Sequence, residues 1–210
     1  MGLGKTLNYA IKEHFMQNIA IYGIIIIAFI IGICAGAFTV NLLNYSQYRE
    51  LHAYIETFFD VMHGQEINHG QLFKISVLNN VKIMMLLTVL SFTVIGIPFV
   101  LIIIGVRGFV LGFTVGFFVK MLNMKGMFLS ILSILPQNLI FIPCYIVLGF
   151  LCISFSLSHV RKKNKPKNRK ADIKIQLLTY SIMMVFMFLL LTVGSIIEAY
   201  ITPVFIKLLV

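Results

Sequence analysis

The chain has 210 residues, 60% of them apolar and 11% charged, with a mean hydropathy of +0.98 and a formal net charge of +10. A soluble domain of this length could not cover so much apolar surface, so composition excludes an ordinary soluble enzyme and requires several membrane spans. Eight of the 17 Lys and Arg fall between Arg161 and Lys174, opposed only by Asp172. Set between two long apolar stretches, that run reads as a cytoplasmic loop with weak attraction to anionic lipid, not as a nucleic-acid patch.

Residues 1–18 are polar and basic (Lys5, Lys12) and are expected in the cytoplasm. Met1-Gly2 with Thr6 fits an N-myristoylation pattern. Gly4-Lys5-Thr6 resembles the end of a phosphate-binding loop, but it lacks the upstream glycine and a preceding strand, so no phosphate cradle forms. The first span is expected over about 19–40, with a small-residue face at Ala28, Gly32 and Gly36. Ala35-Gly36-Ala37 has the composition of a signal-peptidase site, but the polar lead is long and the apolar run can span, which favours retention.

Residues 41–80 then form an extracytoplasmic segment. Tyr48, Leu51, Ile55, Phe58 and Met62 recur at three and four, the pattern of an amphipathic helix whose apolar face needs cover from the membrane or a partner. Asn44 with Gln47 caps its start and Gly64 ends it. The opposite face carries His52, Glu56, Asp60 and His63 at spacings of four, four and three. That pattern suits either a metal ion or a solvated polar face.

Next comes an expected helical hairpin. Asn79-Asn80 sits at its water-facing entrance, a span covers 83–104, Gly105-Val106-Arg107-Gly108 makes the turn, and a second span covers 109–122. Gly108, Gly112 and Gly116 lie on one helix face and permit close backbone approach, within one chain or between copies in a homo-oligomer. Pro98 in Gly96-Ile97-Pro98 is expected to kink the first helix. The second is short for a crossing and needs Lys120 to snorkel.

A half-helix over 127–135 is followed by a break at Pro136-Gln137-Asn138 and a span over 139–157. Such a break is either a structural kink or the lining of a transport cavity. The basic loop covers 158–174 and the last span 175–197. The whole therefore reads as an all-α integral membrane domain of five transmembrane helices, N-terminus in and C-terminus out, with a kinked or broken helix around Pro136. Glu198 beside the last span needs a partner. The expected topology sets it on the same side as Lys82, Lys120 and Lys125, one of which should pair with it.

Cys34, Cys144 and Cys152 fall inside apolar runs without metal-ligand spacing or a disulfide framework. His-Glu-x-x-His, Gly-x-Ser-x-Gly and Walker A motifs are absent, and no two aspartates lie inside spans. These readings point away from a catalytic enzyme and from a cofactor.

Several short motifs together carry a family resemblance: Gly32 to Asn41, Asn79-Asn80-Val81-Lys82, Gly96-Ile97-Pro98, Gly108-Phe109-Val110-Leu111-Gly112-Phe113, Leu135-Pro136 with Pro143, and Ile197-Glu198-Ala199-Tyr200-Ile201-Thr202-Pro203. In order along almost the whole chain, they resemble the stage II sporulation protein M family of endospore-forming bacteria. In the broader family the Leu-Pro segment often continues His-Gly and reaches a Glu before the second proline. Here Gln137, Asn138 and Phe141 stand there, so no role of that His and Glu carries over. The resemblance implies a membrane anchor in the engulfing mother-cell membrane at the septum. It also implies two partners, a lytic transglycosylase and an amidase/endopeptidase, which supply the chemistry of peptidoglycan remodelling.

Overall fold

The structure is a computed structural model that describes residues 18–64, 68–161 and 169–209, with side chains described outside 58–64, 159–161, 169–176 and 208–209. The described residues form seven helices and no strand: α1 Ile19–Leu42, α2 Tyr45–Gly64, α3 His69–Ser91, α4 Gly96–Leu122, α5 Met124–Ser133, α6 Leu135–Arg161 and α7 Arg169–Leu209. Five stretches are long and apolar enough to cross a bilayer: Ile19–Leu42, His69–Ser91, Gly96–Leu122, Leu135–Ser158 and Leu177–Lys207. Their outward faces carry exposed Ile27, Ile31, Val89, Ile102, Leu139 and Leu189, a belt that suits lipid and not water.

The hairpin turns earlier than its charges and glycines suggest. α3 begins at His69, where the Asn68 side chain accepts from the Gln71 N–H at 3.1 Å. The chain reverses over Phe92-Thr93-Val94-Ile95, and α4 then runs unbroken through Gly105 to Gly108. Residues 83–104 are therefore not one span, and Arg107 lies in the middle of a helix instead of in a turn. Pro98 falls in the first turn of α4, where N–H groups have no intrahelical acceptor, so it costs no hydrogen bond there. The Ser156 hydroxyl donates to the Thr93 carbonyl at 2.9 Å and ties this turn to α6.

Glycines bring α1 and α4 into backbone contact within one chain. A methyl group built on Gly32 would strike the Gly105 carbonyl, and one on Gly36 the Phe109 carbonyl. From the other side, Gly108 and Gly112 lie against the carbonyls of Phe29 and Ile33. Gly116 is slightly looser, facing the Ala37 Cα at 3.3 Å. Here van der Waals packing between backbones replaces the hydrophobic effect, which lipid does not supply.

α3 and α7 form an antiparallel polar seam. His69 meets Ala199, Ser76 meets Glu198, Asn80 meets Ser195, and Ser91 meets Tyr180. Those α3 positions lie seven, four and eleven residues apart, which keeps them on one helix face. The main apolar core is built on Ile25, Leu87, Val100, Ile104, Leu148 and Leu191, with Tyr22 stacked on Phe150 at 4.3 Å.

α5 folds back from α4 at Asn123, whose φ of 51° makes the reversal, with Gly126 against the Phe118 carbonyl. The helix breaks at Ile134, two residues before Pro136, which lies in the first turn of α6. The Asn138 side chain donates to the Ile134 carbonyl at 2.8 Å and covers the break. Gln137 and Asn138 are thus helical, not unwound.

Candidate functional site

Where α3, α4, α6 and α7 converge, polar side chains gather at mid-length of the long helices. Asn80 is the hub and is buried. Its Oδ1 accepts from the Tyr145 hydroxyl and, at 3.5 Å, from Arg107 Nη2, while its Nδ2 donates to Ser195 Oγ at 2.9 Å. Arg107 can only donate, which fixes the orientation of the Asn80 amide. Ser195 in turn donates to the Leu191 carbonyl at 3.0 Å. Arg107 lays its guanidinium over the Tyr145 ring, 4.6 Å from the centroid. Its Nε is buried without a partner.

These groups border a partly enclosed cavity of about 250 Å³. Arg107, Asn80, Tyr145, Ser76 and Glu198 line it, and Asn79, Gln137 and Asn138 also face it. Phe29 and Leu111 supply apolar wall. Just beyond, Thr202 joins α7 to the helix break, lying 3.0 Å from the Ser133 carbonyl and within hydrogen-bond reach of Gln137 Oε1.

Glu198 is held differently from the sequence expectation. Its carboxylate accepts from Ser76 and makes no ion pair among the described residues. Lys120 instead donates to the Val40 carbonyl at 2.8 Å and sits 5.3 Å from the Tyr48 ring. Lys82 and Lys125 are exposed. Asn80 also departs from its expected place at the entrance, since α3 starts eleven residues before it and carries it into the interior. Asn79 is exposed but borders the cavity.

The amphipathic α2 lies at the end of the bundle. Gln47 Oε1 accepts from the Asn44 N–H at 3.1 Å, which caps its start. Tyr48 and Ile55, expected to meet a partner, meet the chain itself: the Tyr48 ring is 5.5 Å from Phe117, and Ile55 packs beside Leu129 and Ile206. Leu51 is half-buried, and the side chains of Phe58 and Met62 lie outside the described residues. His52 Nδ1 is 3.4 Å from Glu56. Asp60 and His63 lie outside the described side chains, and among those described no three His, Cys, Asp or Glu gather as metal ligands.

Sequence reasoning missed Arg107, Tyr145, Ser76, Ser195 and His69 as members of the interior. The available signal was a lone cation within an apolar run, together with small polar residues at helical spacing in two spans.

The fold and this interior define a multi-pass helical membrane protein with a polar centre. The family model for stage II sporulation protein M matches residues 25–203, and the chain belongs to that family of sporulation membrane proteins. Comparison with curated proteins and with solved structures finds no match.

Proposed function

We propose that this chain is a non-catalytic anchor that recruits a lytic transglycosylase and an amidase/endopeptidase to the engulfing membrane during endospore formation. The family supports the setting. The observation that carries the reading is the outward face of α2. With Tyr48 and Ile55 turned onto the bundle, the helix presents Tyr45 and Tyr54, 77% and 73% exposed, beside exposed Arg49 and Glu50. Aromatic and Arg side chains on a braced helix are the residue types that anchor protein interfaces. The orientation that goes with it sets the basic segment between α6 and α7 in the mother-cell cytoplasm and α2 outside.

The test is co-purification of the tagged chain from sporulating cells. Both hydrolases should be retained by the wild type and lost with Tyr54→Asp, while the variant still reaches the membrane. A chain recovered alone, from cells that hold both hydrolases, overturns the reading.

A second reading, a small channel or transporter, is favoured by the Gln137 and Asn138 lining of the interior cavity. Alanine at both positions separates the two, since a pore loses flux and an anchor keeps its hydrolases.

A further inference from the structure

The cavity holds two opposite charges that do not meet. Arg107 and Glu198 both line it, yet no ion pair joins them. Opposite charges that share a low-dielectric interior attract strongly. Here each group is instead engaged by neutral neighbours. The guanidinium lies over the Tyr145 ring and donates to Asn80, and the carboxylate accepts from the Ser76 hydroxyl. Asn80 is itself anchored to Ser195, so this separation is built into the packing of α3 on α7. Arg107 still has an unspent donor, its buried Nε. Glu198 has two carboxylate oxygens and one described hydrogen bond.

We propose that this cavity binds a small zwitterion, with its anionic group on Arg107 and its ammonium on Glu198. Neutral amides also line the wall, with Gln137 Nε2 as a donor and Asn138 Oδ1 as an acceptor beyond the bonds already described. The volume of about 250 Å³ limits the occupant to a small molecule or a headgroup, well below drug size. Two sources share this chemistry: a free amino acid, and the headgroup of an ethanolamine phospholipid. The inference goes beyond anchoring and does not rest on it.

The test uses the full chain in nanodiscs of phosphatidylcholine and phosphatidylglycerol. Glycine, alanine and 4-aminobutyrate are titrated while the thermal unfolding midpoint is followed, with native mass spectrometry to count bound molecules. A second set of discs contains phosphatidylethanolamine. Protection by a free amino acid identifies a soluble ligand. Protection and co-retention only in the ethanolamine discs identify the headgroup. Either result should weaken about tenfold or more in Arg107→Gln and in Glu198→Gln, since each removes one charged partner. One control needs no variant: an equimolar mixture of acetate and methylammonium should protect the wild type far less than a molecule carrying both groups. Absence of protection from both sources, or equal protection by the separated charges, overturns the proposal and leaves a water-filled cavity.

Discussion

His69 Nδ1 lies 2.8 Å from the carbonyl oxygen of Ala199, and a carbonyl only accepts, so the imidazole donates. Four residues on, Pro203 sits inside α7 and has no N–H to give that carbonyl. His69 therefore supplies from α3 the hydrogen bond that α7 lacks, and it stacks on Tyr200 with ring centroids 5.1 Å apart. His69→Ala should lose about 1–3 kcal/mol by orphaning the carbonyl. Thermal unfolding in mild detergent measures this, and a midpoint equal to wild type would refute the role.

The α1–α4 contact separates glycines that touch from one that does not. Gly36→Ala sets a methyl group against the Phe109 carbonyl and should cost about 1–3 kcal/mol through displaced backbone. Gly23 has open space around it, so Gly23→Ala should be near neutral. Equal effects in a paired detergent-stability assay would mean that the two helices do not approach as described.

Tyr145 supports Asn80 through its hydroxyl and Arg107 through its ring. Tyr145→Phe removes the first and should cost about 1–2 kcal/mol. Tyr145→Leu removes both and should cost more. The order of the two unfolding midpoints is the readout, and a leucine variant as stable as the phenylalanine one would exclude the ring contact.

The position of the hairpin turn can be checked by labelling. Thr93→Cys should react with a membrane-impermeant maleimide in permeabilised vesicles, because Thr93 lies exposed in the turn. Val106→Cys should stay unreactive, because its exposed face lies at mid-helix against lipid. Reversed labelling would restore a turn at 105–108.

The number of long helices and the places of α1, α6 and most of α7 were legible because long apolar runs follow from the bilayer itself, but the bounds of α3 and α4, which carry Lys74, Lys82 and Arg107, were not. The turn between α3 and α4 was not, since Phe92-Thr93-Val94-Ile95 breaks neither hydropathy nor charge. Gly105, Arg107 and Gly108 mimicked a turn while serving helix packing and the polar centre. Two clues pointed the other way. A span over 109–122 rises only about 21 Å, short of the roughly 30 Å needed. Gly96-Ile97-Pro98 also carries a proline early, as helix starts do. Partner choice for Glu198 depended on helix rotation and depth, which spacing within single helices does not fix. Ser76 faces it because α3 begins far enough upstream to bring that hydroxyl level with α7.

The polar centre also sets a schedule for biogenesis. Arg107 leaves the ribosome before Tyr145, and Ser195 and Glu198 come in the last long helix. For that interval the guanidinium has no ring beneath it, and Asn80 has neither its phenol nor its serine. The nascent chain thus carries an uncompensated cation until α6 and α7 arrive. A chain truncated before α7 leaves Asn80 without Ser195, and one truncated before α6 also leaves Arg107 without the Tyr145 ring, a costly arrangement in lipid.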